Sequence, residues 1–234
     1  MKIGLIQSRG IGDIIIALPI AKFFSDQGHQ VFWPIDERFM ASFQPAANYV
    51  NFLPFRFESN LDGFLKHPAS ILQHHGCERI IPLYSYLAGV KVNNQVLFNS
   101  LKFDEYKYAV AGVPFGEKWN LCIKRDNQRE QALYDRTVKS PEYVVVHQVG
   151  SNFKSALSVP NRYHGLQRID LSEATDNIFD WLMILERASL LILIDSCFAN
   201  LVDQMRLSNE KYFLFRSDTK FTPVLKCAWK YYGI

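Results

Sequence analysis

Three short polar clusters stand where the chain passes from a buried apolar run into a turn: Ser8, Arg9, Gly10, Gly12 and Asp13; then His147, Gly150, Ser151 and Lys154; then Asp195, Ser196 and Asn200. In the first, two glycines two residues apart can adopt positive φ and bring backbone close to a ligand. A helix that starts there presents N–H groups without intrahelical partners, which suit a phosphate or a carboxylate. Asp13 can be the N-cap of that helix, or a base that takes a proton from a hydroxyl. Asp195 closes an apolar strand, where a carboxylate needs a partner, either a structural hydrogen bond or a ligand. A carboxylate, a lysine and helix N-termini in one cleft suit group transfer from a phosphorylated donor. The carboxylate deprotonates the attacking hydroxyl, and the positive groups stabilise the departing diphosphate.

The elements that must position these residues follow from hydrophobic periodicity. Residues 2–7 read as a buried strand, 13–27 as a helix with Ile14, Leu18, Ala21 and Phe24 on one face, and 30–34 as a second strand, which together make a βαβ unit. Phe39, Phe43, Tyr49 and Phe52 fit a helix and a strand, 61–75 a helix and 78–83 a strand, while 84–119 reads as loops and a helix covering the sheet. The charged run 124–139 predicts an exposed helix, with Leu133 and Val138 touching the core. Beyond Pro141 the run Tyr-Val-Val-Val-His at 143–147 is the strongest strand in the chain. Further on come a strand at 168–171, a helix at 177–188, a buried strand at 190–194, a helix at 198–206, a strand at 212–215 and an aromatic helix at 223–232. This alternation predicts an α/β fold of two domains with open, mostly parallel sheets: residues 1–125, a charged linker or helix at 126–141, and residues 142–234. Ligands of such sheets bind beyond the carboxyl ends of the strands, where all three polar clusters fall.

Composition narrows the class. The 234 residues are 48% hydrophobic and 21% charged, which is ordinary for a globular protein and excludes a disordered chain. A net charge of +3 permits an anionic ligand without indicating a nucleic-acid-binding domain. Cys77, Cys122, Cys197 and Cys227 are widely spaced, make no disulfide framework and point to a reducing cytoplasm. His74, His75 and Cys77 lack a further ligand at suitable spacing, so no metal is expected. No apolar run reaches the roughly 20 residues of a membrane span, so any membrane contact is peripheral.

The run Arg9-Gly10-Ile11-Gly12-Asp13, followed by Ile14-Ile15-Ile16-Ala17-Leu18-Pro19, resembles the opening motif of the heptosyltransferase family, glycosyltransferases that use ADP-heptose to build the lipopolysaccharide core. Thr175-Asp176-Asn177-Ile178-Phe179-Asp180-Trp181 through Ile194-Asp195-Ser196 resembles the family's second hallmark. Val144-Val145-Val146-His147 with Gly150, Ser151 and Lys154 is similar to the strand, small-residue turn and lysine of its donor domain. The resemblance implies two facing Rossmann-like domains of the GT-B type, with the acceptor on the first, near Ser8, Arg9, Gly10 and Gly12, and a nucleotide-diphosphate sugar on the second. It implies Asp13 as the base, and Lys154 and Asp195 on the donor side with Ser196 and Asn200. His147 is a further candidate for the donor phosphates or sugar. The acceptor implied is a surface glycan or another hydroxyl compound, and neither a metal nor a separate cofactor is implied. In keeping with that, the chain has no Asp-x-Asp triplet. It departs from the family at Cys197, where a glycine usually follows Asp-Ser, and at Asn200, near the position of a histidine.

Three other readings remain. A catalytically inactive nucleotide- or glycan-binding module would share the fold and tolerate Cys197. A nicotinamide-dependent oxidoreductase would use the glycine turn and Asp36, but its third glycine is replaced by Ile15. Sugar transfer to a DNA base is the third, with nucleic acid not otherwise indicated.

Overall fold

Strand β1 (Lys2–Ile6) runs into Gly10, whose φ of 84° turns the chain into helix α1 (Ile11–Asp26). Asp13 is therefore a first-turn residue, and of its two readings the N-cap does not hold; Gly10 takes that place and offers no side-chain cap. Nor does α1 have a single apolar face. Ile14 to Leu18, Ile20 and Ala21 are each fully buried, because the helix is covered on both sides by the sheet and by later helices. Burying each large aliphatic side chain contributes about 1.5–3 kcal/mol. Pro19 removes the amide that would bond Ile15, and the Tyr108 hydroxyl donates to the next carbonyl, that of Ile16, at 2.8 Å.

Strand β2 (Gln30–Asp36), helix α2 (Met40–Ala46) and strand β3 (Val50–Phe55) follow. The helix expected over 61–75 is two pieces, a π turn at Asp62–Lys66 and α3 (His67–His74). The break lies where Gly63 meets the Glu58 carbonyl, which a Cβ would approach to 1.9 Å. Strand β4 (Arg79–Pro82), helices α4 (Gln95–Ser100) and α5 (Phe103–Ala111) and a 3-10 turn at Phe115–Trp119 complete this part. The sheet is wholly parallel, in the order β3-β2-β1-β4.

Helix α6 (Asn127–Thr137) is capped by Asp126, whose carboxylate accepts from the amides of Gln128 and Arg129. Its Arg129 clasps Asp180, Nε lying 3.1 Å from both carboxylate oxygens, so the charged run packs on the elements after it. Strand β5 (Tyr143–His147) leads to a short antiparallel pair, β6 (Val149–Gly150) and β7 (Phe153–Lys154), and to β8 (Gln167–Asp170). The helix predicted over 177–188 is a 3-10 turn, Ile178–Trp181, and α7 (Leu182–Arg187). Strand β9 (Leu190–Ile194), helix α8 (Cys197–Gln204), β10 (Glu210–Leu214) and β11 (Lys230–Tyr231) finish the second sheet, wholly parallel in the order β11-β10-β9-β5-β8.

The aromatic helix expected at 223–232 does not form. The Asp203 carboxylate accepts from the Lys226 and Cys227 amides at 3.1 Å each and from Trp229 Nε1 at 2.9 Å, which takes the backbone donors a helix would use. Trp229 then packs edge-on against Phe213.

These features come from a computed structural model that describes residues 1–85, 87, 94–150, 153–172, 174–215 and 221–231. It divides into two compact units, Met1–Lys124 and Arg125–Ile234, each built on one of the two parallel sheets. No helix among the described residues is long and apolar enough to cross a membrane.

Candidate active site

Each sheet has one place where the strand order reverses. In the first unit the chain proceeds from β1 through β2 to β3 on one side, then returns to place β4 on the other side of β1. In the second, β8 lies on one side of β5 and β9 on the other. Connections leave such a point in opposite directions, which opens a crevice beyond the strand ends. The residues following β1 and β4, and those following β5 and β9, are the ones that line these two crevices.

After β1, Ser8 is buried and held at both ends of its peptide unit: its N–H donates to the Tyr84 hydroxyl at 2.9 Å, and its carbonyl accepts from the Asp36 amide at 3.0 Å. Burial pushes the Tyr84 phenol well up, so it keeps its proton. Arg9 is exposed, its guanidinium 5.1 Å from the centre of the Phe57 ring. Gly12 lies in the first turn of α1, and Asp13 beside it is 37% exposed. A Cβ on Gly10 would stand 2.7 Å from Asp13 Oδ2, so the bare glycine is what allows this carboxylate to fold back over the helix start. An anion placed at the α1 N-terminus would meet that carboxylate first.

Asp13 has a fixed partner. Lys107, on α5 and almost fully buried, puts its ammonium 2.9 Å from Asp13 Oδ1, 2.7 Å from Gln7 Oε1 and 3.2 Å from the Leu83 carbonyl. Gln7 is oriented in turn by its Nε2, which donates to the Arg9 carbonyl at 2.8 Å. The three oxygens come from the end of β1, the residue after β4 and the first turn of α1. Lys107 thus ties together the segments that follow β1 and β4 at the switch point of the first sheet.

In the second unit, β5 ends in His147, and β9 runs through Asp195 to Ser196 at the start of α8. His147 Nδ1 lies 2.9 Å from Ser196 Oγ, and the imidazole packs edge-on against Phe198. Ser196 is the N-cap of α8 but makes no side-chain cap bond to that helix. Asn200 Nδ2 donates to the Ser196 carbonyl at 3.0 Å, and Asp195 is buried, its amide bonded to Leu214 at 2.9 Å. Gly150 pairs with Phe153 in the β6–β7 hairpin, which also carries the exposed Lys154; Ser151 lies outside the described residues. The structure therefore brings His147, Asp195, Ser196 and Asn200 together.

Burial pulls the His147 imidazole down to about 4, so at neutral pH it is uncharged. The unfolded chain binds the proton near pH 6.5, and the folded one only near pH 4. His147 therefore costs no stability above pH 6.5, and stability falls as the pH drops from there towards 4, by about 3 kcal/mol at the limit. Denaturant unfolding of the wild type and His147→Gln at pH 7.5 and pH 4.5 checks this. The wild type is expected to lose more than the variant between the two conditions, and equal losses would remove His147 as the cause.

With this geometry in view, no protein-family model matches the sequence, and no curated protein is similar to it. Solved structures do match its fold. A glycosyl transferase family 9 structure from Veillonella parvula DSM 2008 superposes at a TM-score of 0.65, over 99% of this chain and 86% of that one, at 13% identity. Escherichia coli ADP-heptose lipopolysaccharide heptosyltransferase II follows at 0.55, over 99% and 90%, at 12% identity. The Escherichia coli heptosyltransferase WaaC, solved with ADP-2-deoxy-2-fluoro heptose, matches at 0.53, over 99% and 92%, also at 12%. The chain has the heptosyltransferase fold.

Within that fold, Lys107 and Tyr84 are the residues that the sequence reading missed. A signal for Lys107 exists: Asp104, Lys107, Tyr108 and Ala111, at the spacing i, i+3, i+4 and i+7, are all buried on α5, and two charges on a buried helical face call for partners. Asp36, the acid that a dinucleotide-binding turn would offer to a ribose, is already bound by Arg38 through its side chain and its amide. No group of three or more His, Cys, Asp or Glu among the described residues is arranged to hold a metal ion.

Proposed function

We propose that this chain is a glycosyltransferase that moves a sugar from a nucleotide-diphosphate sugar to a hydroxyl acceptor, a surface glycan, without a metal. The first unit carries the acceptor side and the second the donor side. Asp13 takes the proton of the acceptor hydroxyl as its oxygen attacks the anomeric carbon. The bond from that carbon to the diphosphate breaks, and the nucleoside diphosphate leaves with the electron pair. Ser196, Asn200, Asp195 and the neutral His147 surround the donor, while Lys154, on the hairpin after β5, reaches its phosphates.

The observation that carries this reading is the carboxylate of Asp13 lying partly exposed at a sheet switch point, tied to a buried ammonium. That arrangement suits a base and opposes an anion at the α1 N-terminus. The fold shared with the heptosyltransferases supports the same reaction class. Thermal-shift screening against UDP-, GDP- and ADP-linked sugars and the free diphosphates tests it. Stabilisation by at least one sugar nucleotide is expected, and a shift with NAD alone would sink the proposal.

A second reading is favoured by Cys197, which puts a side chain in the first turn of α8 where the resembled family has glycine. A non-catalytic module would bind a nucleotide sugar tightly, yet release no diphosphate with any acceptor.

A further inference from the structure

We infer that Lys107 is a positioning residue for Asp13: its buried ammonium holds Oδ1, so that Oδ2 alone receives the proton of the acceptor hydroxyl. The inference rests on the reading of Asp13 as the base. Lys107 belongs to a different helix, and its side chain is 2% exposed, so it does not meet the acceptor itself. Its three N–H donors have three oxygens within reach, at 2.7, 2.9 and 3.2 Å, one of them on the Asp13 carboxylate. The other two come from Gln7 and Leu83, the residues directly after β1 and β4, and the Leu83 amide donates to the Ile6 carbonyl at 3.0 Å. The ammonium is thus anchored to the sheet by two contacts and presents the third to Asp13.

Burying an ammonium costs several kcal/mol before its partners offset it, and an apolar side chain would fill the same space without that cost. Positioning gives the charge a purpose. The contact of one carboxylate oxygen to Lys107 fixes the plane of the Asp13 carboxylate, and bare Gly10 leaves room for the other oxygen over the helix start. The proton-accepting oxygen is then fixed relative to the helix start before an acceptor arrives. In the reaction, the O–H bond of the acceptor breaks towards Oδ2 as the new glycosidic bond forms. Oδ1 keeps its ammonium throughout, so Lys107 neither gains nor loses a proton.

The test compares the wild type, Lys107→Met, Asp13→Asn and the double variant, with ADP-D-β-D-heptose as donor probe and water as acceptor, reading ADP release and thermal unfolding. Lys107→Met is expected to lower kcat by about 100-fold with KM unchanged within about two-fold. In the Asp13→Asn background the same change is expected to lower the residual rate no further. In unfolding, Asp13→Ala replaces Asp13→Asn, because alanine leaves Lys107 no side-chain oxygen, and the two losses in Tm are expected to fall short of additive by about 3 °C. Lys107→Met that lowers the Asp13→Asn rate by the same factor as the wild-type rate would overturn the inference, because Lys107 would then act independently of Asp13. A wild type that releases no ADP counts against this donor in the proposed function, and the unfolding cycle then decides the pairing alone, additive losses overturning it.

Discussion

Asp13→Asn is expected to lower sugar transfer by about a hundred- to ten-thousand-fold, the range general-base catalysis supplies, while nucleotide affinity stays within about two-fold. Asparagine keeps the size of the side chain and an oxygen that can accept from Lys107, so the fold of the turn over Gly10 is preserved and only proton acceptance is lost. Release of nucleoside diphosphate measures turnover, and isothermal titration with the free diphosphate measures binding. Separating the two matters, because the turn between β1 and α1 has the form of a phosphate-binding loop. If it bound phosphate, removing a negative charge from the helix start would raise affinity for the diphosphate. Affinity that changes markedly in either direction would therefore move the donor to the first unit and deprive Asp13 of its role.

The second large effect concerns stability. Lys118→Ala is expected to destabilise the first unit by about 3–5 kcal/mol, because it leaves Asp104 buried without its ammonium. The pair is 2.7 Å apart, and both side chains have no exposure at all. Lys118 also lies 5.3 Å from the Trp119 ring centre, so packing is lost together with charge. Differential scanning calorimetry should register a drop in Tm of about 10 °C or more. Replacing both partners at once, Asp104→Leu with Lys118→Met, is expected to cost far less than Lys118→Ala, since neither charge is then stranded. A double variant as unstable as the single one would mean that packing, not the ion pair, is what the site supplies. Asp104 and Lys107 lie one turn apart on α5, so the same helix that anchors the core also delivers the ammonium to Asp13.

Much of this architecture was legible in the residues. Tyr143–His147 and Leu190–Ile194 are continuous apolar runs, and both are fully buried strands of a parallel sheet, where no polar alternation is needed. The glycine turn after β1 was legible in part: Gly10 occupies positive φ, whereas Gly12 is helical, in the first turn of α1. What failed was decided by contacts distant in sequence. Periodicity gave 223–232 as a helix, but the Asp203 carboxylate, on α8, captures the amides of that segment. Proximity to the helix start suggested Asp13 as a cap, but a carboxylate drawn towards a lysine on α5 cannot also close its own helix. His147 could be placed at a strand end, whereas its loss of charge follows from burial that no local pattern records. Lys107 is the clearest case, because each of its oxygen partners comes from a separate part of the chain.

The two units are contiguous in sequence, with the division between Lys124 and Arg125. During synthesis, therefore, β1 to β4, α5 and the Phe115–Trp119 turn are all made before β5. No strand of the first sheet waits for a partner from the second. The Lys107 ammonium can reach Asp13, and Lys118 can reach Asp104, without any residue of the second unit. Vectorial growth thus lets the Asp13 carboxylate meet its lysine before the second sheet is complete, and it lessens the hazard of strands exchanged between the two halves.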